Sequence, residues 1–307
     1  MAAGAMNRAL LIAGPTASGK SAVALRLAER FGGTIVNADS MQVYSDLRAL
    51  TARPSAAEAQ RAPHLLFGEV DGAENFSVGR WLARAREILA AAHDRAGPLI
   101  FVGGTGLYFR ALTEGLSDIP RVPEDVRAAV RAEAEGQTTP SLHAALAARD
   151  SATAARLRPS DRQRVLRALE VVAATGRPLV AFHGAREAPA LPSGAWAGLF
   201  LAPERAALNA RIEARFDEML RDGALDEVAA LAARKLDPAL PAMRAHGVPH
   251  LIAHLEGRLS LAEARALAVR DTRRYAKRQF TWARHQMPAF AWTPPEGAEA
   301  AGAEALG

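Results

Sequence analysis

The residues Gly14-Pro15-Thr16-Ala17-Ser18-Gly19-Lys20-Ser21 match G-x-x-x-x-G-K-[ST] at every fixed position. Glycines let the backbone curl until its N–H groups converge on phosphate oxygens. A following helix adds its partial positive charge and Lys20 a full one, while the Ser21 hydroxyl is placed to hold a magnesium ion. The spacing predicts binding of a di- or triphosphate, and a nucleotide such as ATP remains open as the ligand. Asp39 comes next, at the end of a short apolar run, where a base or metal-binding carboxylate would stand. Its neighbours Ser40 and Gln42 carry groups that read a nucleobase edge. Thr105, in Gly103-Gly104-Thr105-Gly106, is a candidate second phosphate ligand, and Arg211 and Arg215, one helical turn apart, could grip an anion. His246, His250 and His254 recur every four residues, a zinc-like spacing, but Pro249 interrupts them and no acidic ligand falls in register.

These groups need a frame. Ala9-Leu10-Leu11-Ile12-Ala13 reads as a buried strand before the loop, and Ser21 to Phe31 as a helix with Val23, Leu27 and Phe31 inward. Thr34–Ala38 and Leu99–Val102 read as further strands, with a helix over Phe76–Ala92 between them. Gly14–Ser21, Asp39–Tyr44 and Gly103–Tyr108 then all follow strands, and the carboxyl ends of a parallel sheet are where such folds gather chemistry. From Asp118 the strands stop and Ala- and Arg-rich helical patterns run to about Arg186, including Asp161–Ala174. Trp196–Leu201 resumes a strand, and Asn209–Leu220 is amphipathic, with Leu208, Ile212, Phe216 and Leu220 on one face. The expected architecture is α/β: a P-loop parallel-sheet core (1–117 and 191–293), a helical insertion domain (118–190), C-terminal helices, and a disordered tail rich in Gly, Ala and Glu (294–307).

Half of the 307 residues are hydrophobic, ample for a core, yet no apolar run reaches the roughly 18–20 residues of a membrane span. Met6-Asn7-Arg8 leads straight into the first strand, which leaves no signal peptide, and a cytoplasmic protein is expected. The chain has no cysteine, which excludes disulfides, thiolate metal sites and cysteine nucleophiles. Its net charge is +5, and the stretch Arg270–Arg284 alone carries six basic residues against Asp271. Arg156, Arg158, Arg162, Arg164 and Arg167 form a second basic cluster. Tyr275, Phe280 and Trp282 interleave with the first, and charge with aromatic platforms suits a nucleic acid, although the same rings would anchor a basic helix to its core.

Seven motifs taken in order resemble the tRNA dimethylallyltransferases, also called tRNA isopentenyltransferases: GPTASGKS (14–21), DSMQVY (39–44), GGTGLY (103–108), SDRQRVLRALEV (160–171), TGRP (175–178), RIEARFDEML (211–220) and TRRYAKRQFTW (272–282). The resemblance spans nearly everything from Leu10 to Arg284. It implies transfer of a dimethylallyl group from its diphosphate to N6 of adenosine 37 in the tRNA anticodon loop, with Mg2+ as cofactor and a monomeric enzyme. On this chain the Gly14–Ser21 loop would hold the donor diphosphate, assisted by Thr105 and Arg215, and Asp39 would take a proton from the adenine amine. The tRNA contacts implied are Asp39, Ser40, Met41 and Gln42; Gln163, Arg164, Val165, Leu166 and Arg167; Arg244–Pro249; Lys277, Arg278, Gln279 and Arg284; and Thr105 and Arg127. One segment departs from the family: Gly247-Val248-Pro249-His250 stands where a Gly-Tyr followed by polar residues is usual.

Residue chemistry leaves three other classes to discriminate. A small-molecule kinase shares the loop and a strand-end Asp, but has little use for two basic clusters. A prenyltransferase of free adenine nucleotides has no need of the insertion. A non-catalytic RNA-binding protein has no need of Lys20, Ser21, Asp39 and Thr105 together.

Overall fold

The computed structural model describes residues 9–94, 97–184 and 186–307, so the stretch Met6–Arg8 lies outside the described residues. The chain divides into two compact units, one formed by Met1–Thr113 with Ala190–Gly307 and the other by Glu114–Pro189.

The first unit is built on a six-stranded, wholly parallel sheet. Strand β1 (Ala9–Ala13) is buried along its length and opens into helix α1 (Lys20–Phe31). Strand β2 (Thr34–Asn37) follows, then helix α2 (Ala56–Arg61), the two-residue strand β3 (His64–Leu65) and helix α3 (Val78–Ala90). Strand β4 (Leu99–Gly103) leads into helix α4 (Gly106–Glu114). β1 and β4 are continuous apolar runs because helices cover both faces of a parallel sheet, and β2 is buried along its length as well. Trp81 on α3 is fully buried, donates from Nε1 to the Asn37 carbonyl at 2.8 Å and stacks on Tyr108 at 4.2 Å. The predicted helix over Phe76–Ala92 is two residues shorter at each end, because the Ser77 hydroxyl caps it by accepting from Arg80 N–H.

The second unit is all-helical: α5 (Glu124–Glu133), α6 (Thr139–Arg149), α7 (Ser151–Ala154) and α8 (Arg162–Thr175). They close on a core of Val122, Val130, Leu142, Leu146, Val165 and Leu169. Arg162 is part of its internal frame: the guanidinium donates to the carbonyls of Ala134 and Gln137, which follow the end of α5.

The chain returns to the sheet in β5 (Trp196–Leu201), with the bounds read from sequence, and then runs through α9 (Arg205–Arg221), α10 (Ala224–Ala233), α11 (Val248–Leu255) and the 26-residue α12 (Leu261–Gln286). A Ser260–Glu263 capping box starts α12. Strand β6 (Ala291–Thr293) completes the order β3-β2-β4-β1-β5-β6.

The tail expectation is corrected. Residues 298–306 form helix α13 (Ala298–Leu306), whose buried Ala298 and Gly302 lie on the β1–α1 layer, with Glu299 bonded to Arg26 Nε at 2.5 Å. Ala and Glu are strong helix formers, and small side chains let the helix approach Leu27 and Leu10 closely. Low hydrophobicity was the wrong measure for a helix that packs by its backbone. Among the described residues no helix is long and apolar enough to cross a membrane.

Candidate active site and nucleic-acid interface

Because β2, β4 and β1 are neighbours, the three loops that leave their carboxyl ends converge on one edge of the sheet. In the first loop, Gly19 adopts φ 88° and hands the chain to α1 with no side-chain cap and no acidic residue in the first turn. The N–H groups of that turn therefore face outward to any anion that enters. Lys20 folds back and donates from Nζ to the Pro15 carbonyl at 3.2 Å. Burial pushes its pKa down to about 8, against the attraction of Asp39 and with the help of Arg215. The Ser18 hydroxyl is buried without a partner, and the Ser21 hydroxyl is exposed at the helix start.

The second loop is set by Asn37, which is fully buried at the end of β2. Its Oδ1 accepts from Asp39 N–H at 2.8 Å, and its Nδ2 donates to the carbonyls of Asp39 (2.9 Å) and Leu66 (3.0 Å). Asp39 uses Oδ1 to accept from Met41 N–H at 2.9 Å, an Asx turn that aims the carboxylate.

The third loop is clamped to the second. Thr105 N–H donates to the Ala38 carbonyl at 3.2 Å, and Thr105 Oγ1 accepts from Ser40 N–H at 2.9 Å while lying 3.2 Å from Ser40 Oγ. The Thr105 hydroxyl thus holds two loops together, a role that the sequence pattern did not signal. Gln42 is likewise engaged: its amide nitrogen donates to the carbonyls of Thr51 (2.8 Å) and Ala52 (3.0 Å), so its donor end is not free for a base.

An open cleft of about 710 Å³ joins these parts, with Thr16, Asp39, Arg215, His246 and Tyr275 in its wall and Leu50 and Phe216 as its apolar side. Arg215 is brought in and Arg211 is left exposed on the outer face of α9, so the predicted pair is a single residue. Burial lowers the Arg215 pKa while Asp39 pulls it back. Burial also lowers His246, and then the charge of Arg278, so that its ring, tilted on Tyr275 at 4.5 Å, lines the cleft as the neutral imidazole. The three histidines diverge. His250 bonds Asp271 at 2.9 Å and His254 Nδ1 lies 3.0 Å from the Leu259 carbonyl, and among the described residues no His/Asp/Glu group could hold a metal ion. Nothing in the spacing of His246 signalled a place in the cleft wall.

The long helix α12 has two faces. Lys277, Arg278 and Arg284 are exposed, with Arg278 over the Tyr275 ring and Arg284 over Trp292, each at 5.6 Å. On the other face, Phe280 packs edge-on to Phe200 at 5.6 Å, and Trp282 lies so close to Gly106 that a Cβ there would sit 2.1 Å from the ring. Gln279 also faces inward, only 8% exposed. The aromatics therefore anchor the helix, as one of the two readings had it. Arg244 is exposed beside the cleft-lining Ala245 and His246, whereas Val248, at the family's usual tyrosine, is fully buried.

Within the helical unit Gln163 and Arg164 are exposed and Leu166 and Arg167 half-buried, Arg167 lying 3.8 Å from Glu170. Arg127 donates to Glu124 at 2.7 Å. Val165 is fully buried in that unit's core, which corrects its expected contact with tRNA: its side chain has no surface to offer.

Residues 42–286 match the family model described as IPP transferase, and residues 7–68 match the one described as isopentenyl transferase. A tRNA dimethylallyltransferase of Methylocella silvestris is 64% identical over 97% of this chain and 98% of its own length. One from Bradyrhizobium sp. is 59% identical over 95% of this chain and 96% of its own. Among solved structures, the tRNA isopentenylpyrophosphate transferase of Bacillus halodurans aligns with a TM-score of 0.66 at 31% identity, covering 97% of this chain and 98% of that one. A eukaryotic dimethylallyltransferase acting on tRNA aligns at 0.78 with 25% identity, over 94% of this chain and 73% of that one.

Proposed function

Because the chain belongs to the IPP transferase family, we propose that its loop–carboxylate–arginine cleft carries out that family's prenyl transfer. The protein is a tRNA dimethylallyltransferase: it transfers a dimethylallyl group from dimethylallyl diphosphate to N6 of adenosine 37 of tRNA and releases diphosphate. The observation that carries the assignment of roles is that Thr16 and Ala17 of the phosphate loop, Asp39 and Arg215 share one cleft wall.

The donor diphosphate lies on the first-turn N–H groups of α1, with Lys20 and Arg215 against its charge. As the allylic carbon–oxygen bond breaks, negative charge grows on the diphosphate, and these preorganised cations stabilise it. The exocyclic amine of adenine is a weak nucleophile. Asp39, aimed by its Asx turn, accepts its proton as the N6–C bond forms. The base must leave the loop stack to reach the cleft, where the Tyr275 and His246 rings offer it a flat, uncharged wall. The exposed cations of α12 hold the RNA through its phosphates. In the helical unit, taken by itself, exposed Gln163 and Arg164 are candidate RNA contacts.

The exposed Ser21 hydroxyl is the oxygen donor at the loop that would hold Mg2+, and the ion would supply charge neutralisation to the leaving diphosphate.

The test combines purified protein, magnesium, dimethylallyl diphosphate and an unmodified anticodon stem-loop with A36-A37-A38, and weighs the RNA. A mass gain of one dimethylallyl group, lost when A37 becomes G, is expected. Equal turnover of free AMP, or robust transfer of the ATP γ-phosphate, would overturn the assignment.

A further inference from the structure

Gln279 sits in the middle of the basic helix, between exposed Arg278 and half-buried Phe280, yet its side chain is turned away from solvent. Its Oε1 accepts from Thr16 N–H in the phosphate loop at 3.1 Å, and its Nε2 donates to the Gly104 carbonyl at 2.8 Å. One amide thus joins two loops that leave neighbouring strands. Gly104 also lies close to the carboxylate: a Cβ there would sit 3.2 Å from Asp39 Oδ2 and 2.3 Å from Gln279 Nε2. On the same face of α12, Tyr275 lines one cavity with Thr105 one turn before, and Trp282 lies on Gly106 one turn after.

We propose that Gln279 is a positioning residue for prenyl transfer, an amide brace that sets the donor loop against the Asp39-bearing loops, and not a contact to tRNA. Three features of the chemistry support it. A primary amide carries a donor and an acceptor on one rigid plane, so it satisfies an N–H and a C=O at once at a fixed separation. Both ends are spent inside the protein, which leaves little to offer a nucleic acid. And the loops it joins carry the groups between which the bond is made, where small misplacements cost most.

The inference rests on the donor lying at Gly14–Ser21, and the test separates the two. Gln279→Glu keeps the acceptor for Thr16 N–H but sets an oxygen against the Gly104 carbonyl; Gln279→Met removes both bonds at similar volume. Both variants are expected to fold, to bind the stem-loop with unchanged Kd, and to lose about 10²-fold in kcat with a raised donor KM. Relative to wild type, Gln279→Glu should recover as pH falls toward about 6, since the protonated acid donates to Gly104 again, whereas Gln279→Met should not. Weakened stem-loop binding with kcat and donor KM untouched would make Gln279 an RNA contact and overturn the brace. So would equal deficits for both variants at every pH. Lys20→Ala is measured alongside: an unchanged donor KM there sinks the placement of the donor, while a Lys20 effect with silent Gln279 variants sinks the brace alone.

Discussion

Asn37 grips Asp39 by both ends of its backbone, accepting from its N–H at 2.8 Å and donating to its carbonyl at 2.9 Å. Because Asn37 is fully buried and its own carbonyl is taken by Trp81, the Asp39 carboxylate is carried on a rigid piece of the core. Asn37→Leu should cost about 1–3 kcal/mol of stability, since it strips the partners from buried polar groups. It should lower kcat by more than it changes stem-loop Kd. Chemical denaturation and single-turnover kinetics check the two parts.

Asp39→Ala should reduce the rate by about 10²–10⁴-fold, the usual loss on removing a general base, with tRNA affinity little changed. Wild-type-like turnover in this variant would falsify its role as the base.

Lys20 titrates low in the free enzyme, at about 8, through burial above all. A bound diphosphate restores the charged form, so donor binding takes up a proton at pH above 8. Donor affinity should therefore fall as pH rises above about 8, by at most tenfold per unit. The stability consequence has the opposite sense. Below pH 8 both states carry the charge and the burial penalty is in full force; between about 8 and the ordinary value of 10.5 the unfolded chain binds more protons, so this group makes the free protein more stable with rising pH. Donor titrations by calorimetry in buffers of different ionisation enthalpy would count the proton.

Lys277→Ala and Arg278→Ala should weaken stem-loop binding at every sequence and reduce the slope of log K against log salt by about one each. Both residues are exposed, and among the described residues Lys277 has no acidic partner. A changed kcat with an unchanged salt slope would count against the outward face of α12 as the docking surface.

Truncation after Pro294 should lower Tm by several degrees and leave the chemistry in place. α13 covers Leu10 and Leu27 on the β1–α1 layer and contributes nothing to the cleft. A thermal scan with and without the last helix checks it.

Much of this protein was legible before folding. β1, β4 and β5 are continuous apolar runs, and such runs stay readable because a strand buried on both faces carries few polar residues. The phosphate loop, Asp39 and Arg215 were equally plain, since their chemistry demands particular residue types at particular spacings. Short edge strands such as β3 and β6 escape that logic, being two and three residues long with little to bury. Helix α13 escapes it too, because it packs through small side chains and not through a hydrophobic stripe.

The sequence by itself determined which residue types stand where chemistry is proposed: a phosphate-type loop, a strand-end carboxylate and clustered positive charge. Only the tertiary structure decided how three polar side chains are spent. Thr105 is joined to Ser40 across 65 residues, Gln279 to Thr16 across 263, and Gln42 to the Thr51 and Ala52 carbonyls of the same loop. A hydroxyl or an amide has the same capacity for a ligand as for a backbone group. Which one it serves depends on what the fold places within hydrogen-bond reach, and no local pattern records that distance.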